Sequence, residues 1–490
     1  MNPRSKVNSM CPRKTSLTLV LLIPVLVLLA GCSDDVKITT SSPEALKWYQ
    51  EGLSLYEKFY YREAADAITK AIQADSGFAL AWARRAIISF HSHDEASANK
   101  AITTALQLSS GASRSEQMLI RMWQHRINYE HNQAASTADS IIDRYPRLRE
   151  AYLVRGQIFE LNKNSESAIK MYQRAVDLDS TYAPAVMSLG YAFSGLGDVD
   201  KASTYMERYI RLLPKEADPR ASYGDVLMRA GRYDEALEQY RKSLEAKPDY
   251  WYSLQRIGDI YVVQGRLRAA EEFYHRGLDL LPASNQIAVS RHSTDGRLSA
   301  LRGDYEGALV QYREALSIDQ RAGDPAWGML YALTKLKRFS SADTLIADIH
   351  SEMSRRNLLG SSAMASFYLI QSFTMKERGE YSVALAACDS ALQYALPLSR
   401  GSIYNQIADI RLRQKEFELA LDACEEALSV NPNSPEILLT LLKVYSAKKD
   451  VRMTVEIGSR LLAIWVDADE DYVPLKEAQQ IMGHSAAATR

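Results

Sequence analysis

Apolar residues recur three and four positions apart, in paired short runs, from Ala45 to about Ala468. Spacing of this kind places the apolar residues on one face of an α-helix. Gly231 separates two such runs and supplies the left-handed conformation that ends a helix. Pro248 stops the second run, because its ring disfavours helical geometry in the preceding residue. The pattern predicts helix, short turn, helix, short turn. One pair of runs comprises Tyr223, Val226, Leu227, then Ala236, Leu237, Tyr240 and Leu244.

The paired runs repeat with a period of 34 residues. A small residue occupies the same point of successive first helices, and another occupies the same point of the second helices. These positions are Gly156, Gly190, Gly224 and Gly258, and Ala168, Ala202, Ala236 and Ala270. Small residues allow two helices to approach to about 8–10 Å. A fixed period of this size indicates one supersecondary unit copied along the chain, each copy packing only against its neighbours. We therefore predict an elongated all-α solenoid.

The repeated unit resembles the tetratricopeptide repeat (TPR). The unit from Tyr152 to Asp179 has the aromatic residue, the glycine, the alanine pair Ala168 and Ala175, and the closing acidic residue in register. A turn glycine followed five residues later by alanine recurs at Gly197–Ala202, Gly231–Ala236, Gly265–Ala270, Gly303–Ala308 and Gly379–Ala384. The resemblance implies a right-handed superhelix of about twelve helix–turn–helix repeats. A coincidental helical bundle is the alternative, which so strict a period disfavours.

The N-terminus predicts an export signal. Basic residues precede an apolar run from Leu17 to Ala30, which ends in Leu29-Ala30-Gly31-Cys32. A positive start, a run too short to span a bilayer and small residues at its end are typical of a secretory signal peptide. The last four residues resemble a bacterial lipobox, which implies cleavage before Cys32 and attachment of lipid chains, palmitate among them, to that cysteine. A membrane anchor with an incidental cysteine is the alternative, and Met10 could be the true start.

These features predict four segments: a lipoprotein signal peptide (1–31), lipidated Cys32 with a tether (32–44), a TPR solenoid (45–468), and a C-terminal cap and tail (469–490). We expect the cap as a helix from Leu475 to Met482, with a disordered tail from Gly483. Ser33 follows the cysteine in place of the aspartate that resembles an inner-membrane retention signal. This favours the bacterial outer membrane, on its periplasmic face. Ser33-Asp34-Asp35 weakly resembles the acidic signal that directs some lipoproteins to the cell surface, so a location at the cell surface is the alternative.

Composition bears on which kinds of chemistry to expect. The 59 basic and 60 acidic residues almost cancel, so the charge does not indicate nucleic-acid binding. We find no phosphate-binding loop, zinc-spaced cysteine and histidine set, or nucleophile elbow. We therefore predict no enzyme, metal, cofactor or small-molecule substrate, and we expect His91 and His93 in a solvated turn. Cys388 and Cys424 occupy equivalent sites of successive units, which stack too far apart for a disulfide; we predict buried free thiols.

Two candidate partner-binding surfaces follow from the TPR resemblance, which implies that the first helix of each unit lines the inner surface. Central candidates are mixed and polar: Tyr191, Asp225, Arg229 and Asp259, with Gln157, Glu160 and Gln255. N-terminal candidates are apolar or aromatic: Tyr49, Leu53, Tyr56, Ile87 and Phe90. An exposed apolar patch often marks a contact. The alternative is that the register is wrong, or that the tether or a neighbouring repeat covers this face. The lysine and asparagine clamp of some TPR proteins is not reproduced, since Leu153 and Asp225 stand there.

Two classes of function remain open. The first is a lipid-anchored scaffold or adaptor that binds protein partners in envelope assembly or export, such as pilus, polysaccharide or secretion machinery. The second is a regulatory adaptor of an envelope protease or cell-wall hydrolase.

Overall fold

The computed structural model describes residues 38–488 except 93, 321, 357, 397 and 398. The predicted signal peptide, Cys32 and most of the tether lie outside the described residues. Within them the chain forms 25 α-helices, one short 3₁₀ helix (Ser109–Gly111) and no strand. The first twelve are α1 Pro43–Glu57, α2 Tyr61–Ala74, α3 Ala79–His91, α4 Glu95–Leu108, α5 Arg114–Ile127, α6 His131–Arg144, α7 Arg149–Leu161, α8 Ser165–Leu178, α9 Ala183–Gly195, α10 Val199–Leu212, α11 Asp218–Arg229 and α12 Tyr233–Ala246. The others are α13 Trp251–Val263, α14 Leu267–Asp279, α15 Asn285–Leu301, α16 Tyr305–Ile318, α17 Gly323–Lys335, α18 Phe339–Arg355, α19 Ala363–Arg378, α20 Tyr381–Tyr394, α21 Arg400–Arg413, α22 Phe417–Val430, α23 Pro435–Lys448, α24 Val451–Ile464 and α25 Val473–Ala488.

Consecutive helices pair into twelve units in the described part of the chain. Unit 1 is α1 with α2, and the series continues to unit 12, which is α23 with α24. The first helix of each unit packs against the second, and the second packs against the first helix of the next unit. The predicted right-handed α-solenoid of about twelve units is confirmed. Helix α25 follows as the cap; it begins before Leu475 and continues to Ala488, so the expectation of a disordered tail from Gly483 was wrong.

The turn inside eleven of the units places one described residue in the left-handed region. Glycine fills this position in five units: Gly197, Gly231, Gly265, Gly303 and Gly379, with φ between 72° and 86°. Other residues fill it in six units, with φ between 58° and 64°: Phe59, Tyr129, Lys163, Lys337, Lys415 and Lys449. Only glycine adopts this conformation without steric strain. The turn signature in the sequence therefore marks a real backbone requirement.

In units 4 and 6 to 8, the glycine of the first helix receives a tyrosine ring from the second helix. The Tyr240 ring lies directly on Gly224, where an added Cβ would come within 2.7 Å of it. Tyr172 lies on Gly156 in the same way, and the corresponding distance is 2.4 Å. Two real carbon atoms do not approach so closely, so any side chain here would displace the ring. The period of 34 residues thus repeats a glycine socket and the side chain that fills it.

The superhelix curves until units distant in sequence touch each other, which corrects the expectation of an elongated array. Near its start, Lys58 Nζ lies 3.4 Å from Glu216 Oε1, and the Tyr60 hydroxyl donates to Glu216 Oε2. The Lys247 ammonium lies 4.8 Å from the centre of the Tyr60 ring. Lys58 and Tyr60 belong to the turn of unit 1, and Glu216 joins units 5 and 6. We call this contact the N-terminal closure.

A second and larger contact, the C-terminal closure, joins the turns of units 6 to 8 to unit 12 and the cap. Asp469 donates its backbone N–H to the Gly265 carbonyl at 3.0 Å, and the Trp465 Nε1 donates to the Val263 carbonyl at 3.0 Å. Trp465 and Tyr472 join a continuous apolar core with units 6 to 8. Units about five apart in sequence are therefore direct neighbours in space. Repeats that contacted only their sequence neighbours could not form this core.

Three further findings complete the fold. Cys388 and Cys424 are buried free thiols, as predicted. Burial raises the pKa of both, that of Cys388 to about 11 and that of Cys424 to about 12. In the described part of the chain, no helix combines the length and the apolar character needed to cross a bilayer.

Candidate binding surfaces inside the superhelix

Two of the N-terminal candidates belong to the hydrophobic core. Tyr49 is 2% exposed, and its ring lies 5.1 Å from that of Phe78. Ile87 is 5% exposed. Stacking of units 1 to 3 covers both side chains, because the first helices of adjacent units lie against each other on the inner side. The expectation of an exposed apolar face is therefore wrong for Tyr49 and Ile87.

The other three N-terminal candidates, Leu53, Tyr56 and Phe90, are partly buried. Tyr56 hydrogen-bonds through its hydroxyl to His91 Nδ1 at 3.2 Å, and the two rings stack at 5.8 Å. Burial raises the pKa of Tyr56 to about 12. His91 ends helix α3 in this contact, so the expectation of a solvated turn was wrong for it; His93 lies outside the described residues. Partner binding by Leu53, Tyr56 and Phe90 stays a prediction.

The end of the tether docks on the same units. Thr39 donates from its backbone N–H to Glu116 Oε1 at 2.8 Å and from its hydroxyl to Glu116 Oε2 at 2.5 Å. Thr40 donates to Asp75 Oδ2 at 2.5 Å. Ile38 packs against the N-terminal core. Residues 38–42 are therefore held by units 1 to 3, and the notion of a free tether up to residue 44 is corrected for these residues.

Units 1 to 5 line a small, partly open cavity, which we call the N-terminal cavity. Its volume is about 80 Å³, and Tyr56 and Ile87 of the predicted set line it. Two arginines that the sequence analysis missed also line it, Arg84 and Arg126. Arg84 Nη2 lies 2.8 Å from Glu150 Oε1, and its guanidinium lies 4.5 Å from the centre of the Trp123 ring. The sequence signal that could have revealed Arg84 is an arginine on an otherwise apolar helical face.

The central candidates converge on Asp225. Tyr191 and Tyr252 donate to Asp225 Oδ2 at 2.9 and 2.7 Å, and Tyr240 donates to Oδ1 at 2.7 Å. Arg256 Nε lies 3.2 Å from Oδ1. These groups come from units 5 to 7, so one carboxylate ties three successive units together. Tyr191 and Asp225, which the sequence placed on one surface, are in direct contact.

Asp259 repeats this arrangement one unit later. Tyr274 donates to Asp259 Oδ1 at 2.6 Å, and Arg256 Nη1 lies 3.2 Å from Oδ2. Arg297 Nη2 lies 3.7 Å from Oδ1. Arg256 therefore bridges Asp225 and Asp259. Since charged hydrogen bonds in a partly enclosed site are stronger than neutral ones, the network fixes the inner surface of units 5 to 8.

A third carboxylate, Asp218, extends the network and was missed by the sequence analysis. Tyr209 donates to its Oδ2 at 2.8 Å, and Tyr250 donates to its Oδ1 at 2.9 Å. Burial raises the pKa of Asp218, and the two tyrosine hydrogen bonds oppose that shift. Its position just before Pro219 at the start of a helix makes it look like an ordinary helix-start residue in sequence.

Two larger clefts open between the central units and the C-terminal units. Asp225 and Arg229 line one of about 340 Å³ beside Asn433 and Glu436. Asp259 lines the other, of about 910 Å³. We call the larger one the central cleft. Its wall includes Gln255, Asp259, Gln286, Arg297, Tyr331, Arg356 and Glu436. First helices α13, α15 and α17 supply most of this wall, as the TPR resemblance implied.

The described residues contain no group of three histidine, cysteine, aspartate or glutamate side chains placed to hold a metal ion. The walls of the two clefts carry hydrogen-bond donors and acceptors and side chains of both charges. This chemistry suits recognition of a polar chain with mixed charges.

The twelve stacked units, eleven of them with a described left-handed turn, define the class of protein. Tetratricopeptide-repeat models match residues 130–183, 187–250, 224–285 and 401–434. The matched residues belong to units 3 to 7 and to unit 11. The chain carries tetratricopeptide repeats, and its fold is a TPR solenoid.

Similar proteins include several repeat proteins of different kinds. Anaphase-promoting complex subunit 3 of Schizosaccharomyces pombe is 24% identical over 37% of this chain and 27% of its own length. Protein O-mannosyl-transferase TMTC1 of Homo sapiens is 26% identical over 29% of this chain and 17% of its own length. TPR repeat-containing protein YpiA of Bacillus subtilis is 22% identical over 53% of this chain and 67% of its own length. The chain thus spans about a quarter or less of the first two relatives.

Solved structures resemble parts of the chain. A tetratricopeptide repeat protein from Parabacteroides merdae has a TM-score of 0.38 and 19% identity, covering 54% of this chain and 98% of that one. PilW, whose structure is described as that of a type IV pilus biogenesis factor, has a TM-score of 0.37 and 14% identity, covering 44% and 98%. Scores at this level carry no functional argument.

Proposed function

We propose that this chain is a non-catalytic, lipid-anchored TPR scaffold that binds protein partners in the bacterial envelope. Envelope assembly or export, such as pilus, polysaccharide or secretion machinery, is the setting that we favour. The observation that supports partner binding is the central cleft, whose volume of about 910 Å³ and mixed polar wall fit an extended segment of a protein. TPR solenoids commonly present such concave surfaces to partners.

The anchor is proposed on the N-terminal sequence. Leu29-Ala30-Gly31-Cys32 follows an apolar run too short to span a bilayer. Two or three acyl chains hold a protein stably on a membrane where one chain does not, since each buried methylene contributes about 0.8 kcal/mol. We place the protein at the outer membrane, with the periplasmic face favoured. Docking of Thr39 and Thr40 would leave only a short segment between lipid and solenoid.

A substitution at Cys32 tests the anchor. Cys32→Ser should remove the lipid mass and either release the protein from the membrane fraction or accumulate the unprocessed precursor. Mass spectrometry and fractionation report both results. Cys388→Ser, which changes a buried thiol of the solenoid, is the matched control and should retain lipid and membrane association. Unchanged mass and fractionation in Cys32→Ser would reject the anchor.

Site-specific cross-linking tests partner binding. A photo-activatable amino acid at Gln255, which is exposed in the central cleft, should capture a discrete protein in intact cells. The same amino acid at Glu238, exposed on the second helix α12 of unit 6, is the control and should capture less. Equal capture at both positions would show that the cleft does not select the partner.

A regulatory adaptor of an envelope protease or cell-wall hydrolase is the second candidate function. The same cleft supports it, since an adaptor also holds a protein segment. Identification of the protein cross-linked at Gln255 separates the two. A structural component of an assembly or export machine supports the scaffold, and a hydrolytic enzyme supports the adaptor.

A further inference from the structure

The N-terminal cavity contains charged groups that its walls do not fully satisfy. Arg84 is almost completely buried and forms an ion pair with Glu150. Arg126, at the end of helix α5, is partly buried and lines the same cavity. Among the described residues that line the cavity, Arg84, Arg126 and Glu150 are the charged side chains apart from His91, which could carry a further positive charge. Glu150 balances Arg84, which leaves Arg126 as a positive charge in excess.

Two buried nitrogen atoms here have no hydrogen-bond acceptor. They are Nη1 of Arg126 and Nε of Arg84. A buried donor without an acceptor costs about 1–3 kcal/mol, and more when the group is charged. Glu57, whose charge acts on Arg84, does not relieve this, because Arg149 engages it. Burial also lowers the pKa of Arg126.

The rest of the wall is mostly apolar or aromatic. It includes Tyr56, Phe59, Tyr61, Ile87, Trp123, Leu153, Val154 and Met187. The volume of about 80 Å³ is roughly half that of the 150 Å³ cavity that binds benzene in an engineered protein. The space therefore fits a few carbon atoms together with one small acidic group.

We propose that the N-terminal cavity binds a short-chain organic monocarboxylate of about three to five carbon atoms. Its carboxylate pairs with the guanidinium of Arg126, the lining charge that no acidic side chain of the wall balances. Its alkyl chain contacts Ile87, Trp123 and Met187. The carboxylate supplies the missing negative charge, and the alkyl chain packs against the apolar walls. This site is separate from the central cleft and goes beyond the expectation that the chain has no small-molecule ligand.

Calorimetric titration of the folded solenoid tests the proposal. Butyrate should bind with one site per chain, and butyramide, its neutral analogue of nearly the same shape, should bind at least tenfold more weakly. Arg126→Gln should weaken butyrate binding at least tenfold. Arg121→Gln, on the exposed face of the same helix, is the control and should leave the affinity unchanged. Circular dichroism checks that each variant keeps its helix content.

Several results would overturn the proposal. These are equal binding of butyrate and butyramide, no binding of butyrate at millimolar concentration, and butyrate binding that survives in Arg126→Gln. If Arg126→Gln does not fold, the comparison of butyrate with butyramide on the unmodified protein still decides. A third titration uses a tripeptide with a C-terminal valine. Tighter binding of that peptide than of butyrate would assign the site to a chain terminus and would reject a free small acid.

Discussion

The two closures of the superhelix use different interactions to solve the same geometric problem. At the N-terminal closure, the turn of unit 1 reaches Glu216 through side chains, namely Lys58 and Tyr60. At the C-terminal closure, backbone groups meet, and Trp465 and Tyr472 enter a core shared with units 6 to 8. Polar contacts at a partly exposed seam contribute little stability, whereas burial of aromatic side chains contributes several kcal/mol. We therefore expect the first closure to open readily and the second to open only with unfolding.

The local reason for this difference is the residue in the turn. Unit 1 has Phe59 in the left-handed position, and its side chain packs, partly buried, against the apolar core of units 4 to 6. Units 6 and 7 have Gly231 and Gly265 there. Asn433 approaches the former and Tyr472 the latter so closely that an added Cβ would lie 2.4 or 2.5 Å from them. The glycines thus serve the turn and the closure at once.

The largest effect is expected from removal of the aromatic anchor of the C-terminal closure. Trp465 is 2% exposed, so Trp465→Ala should lower the free energy of unfolding by about 3–5 kcal/mol, since it leaves a cavity in the shared core. Trp251→Ala is the control, because Trp251 is 43% exposed and should cost far less. Urea unfolding followed by circular dichroism measures both. Similar losses would show that the C-terminal closure is not the stronger contact.

A pair of glycine substitutions separates the stability contribution of packing at the C-terminal closure from that of the left-handed turn. Gly265→Ala forces a side chain into Tyr472 and Ala468, whereas Gly197→Ala meets no atom within 4 Å; both have φ above 70°. The free energy of unfolding should fall by about 1–2 kcal/mol in each variant, because alanine is strained in the left-handed conformation. In Gly265→Ala it should fall by about 1–3 kcal/mol more, because the added side chain overpacks the closure. Thermal unfolding of the two variants gives the difference, and equal losses would contradict close packing at this turn.

A smaller effect is expected at the N-terminal closure. Glu216→Ala removes the acceptor for Tyr60 and the partner of Lys58, and should cost about 1 kcal/mol or less. Amide hydrogen exchange should accelerate in helices α1 and α2, with the C-terminal units unchanged. Glu207→Ala, which removes an exposed acid 3.8 Å from Arg211, is the control. Uniform acceleration along the chain would contradict a separate closure.

The smallest effect concerns pH. The pKa of Asp218 is raised above the ordinary 3.8 by burial, so the folded state holds this proton more tightly than the unfolded state. Its contribution is therefore most favourable at acid pH and declines as the pH rises from about 4 through the folded pKa. Asp218→Asn removes that decline. The stability difference between wild type and variant, measured by urea unfolding at several pH values, should favour the wild type increasingly toward pH 4. A constant difference would contradict the raised pKa.

Part of the candidate surface was predictable because it follows the repeat. Asp225 and Asp259 lie one period apart on first helices, and both face the interior, where tyrosines of the second helices reach them. Arg84 and Arg126 were not predictable in the same way. Their roles depend on which side chains of other units surround them, and the register of a single unit does not contain that information. Tyr49 failed as an exposed candidate for the same reason, since Phe78 covers it.

The sequence by itself determined the unit: two helices and a short turn, repeated about twelve times, with a glycine under a tyrosine ring in units 4 and 6 to 8. Each of these features depends on residues within one period, and local sterics and helical periodicity are enough to reveal them. Only the tertiary structure decided that units about five apart would touch, because small rotations between successive units add up along the superhelix. That summed curvature places Glu216 beside Tyr60 and Trp465 beside Val263, and it forms the N-terminal cavity and the central cleft.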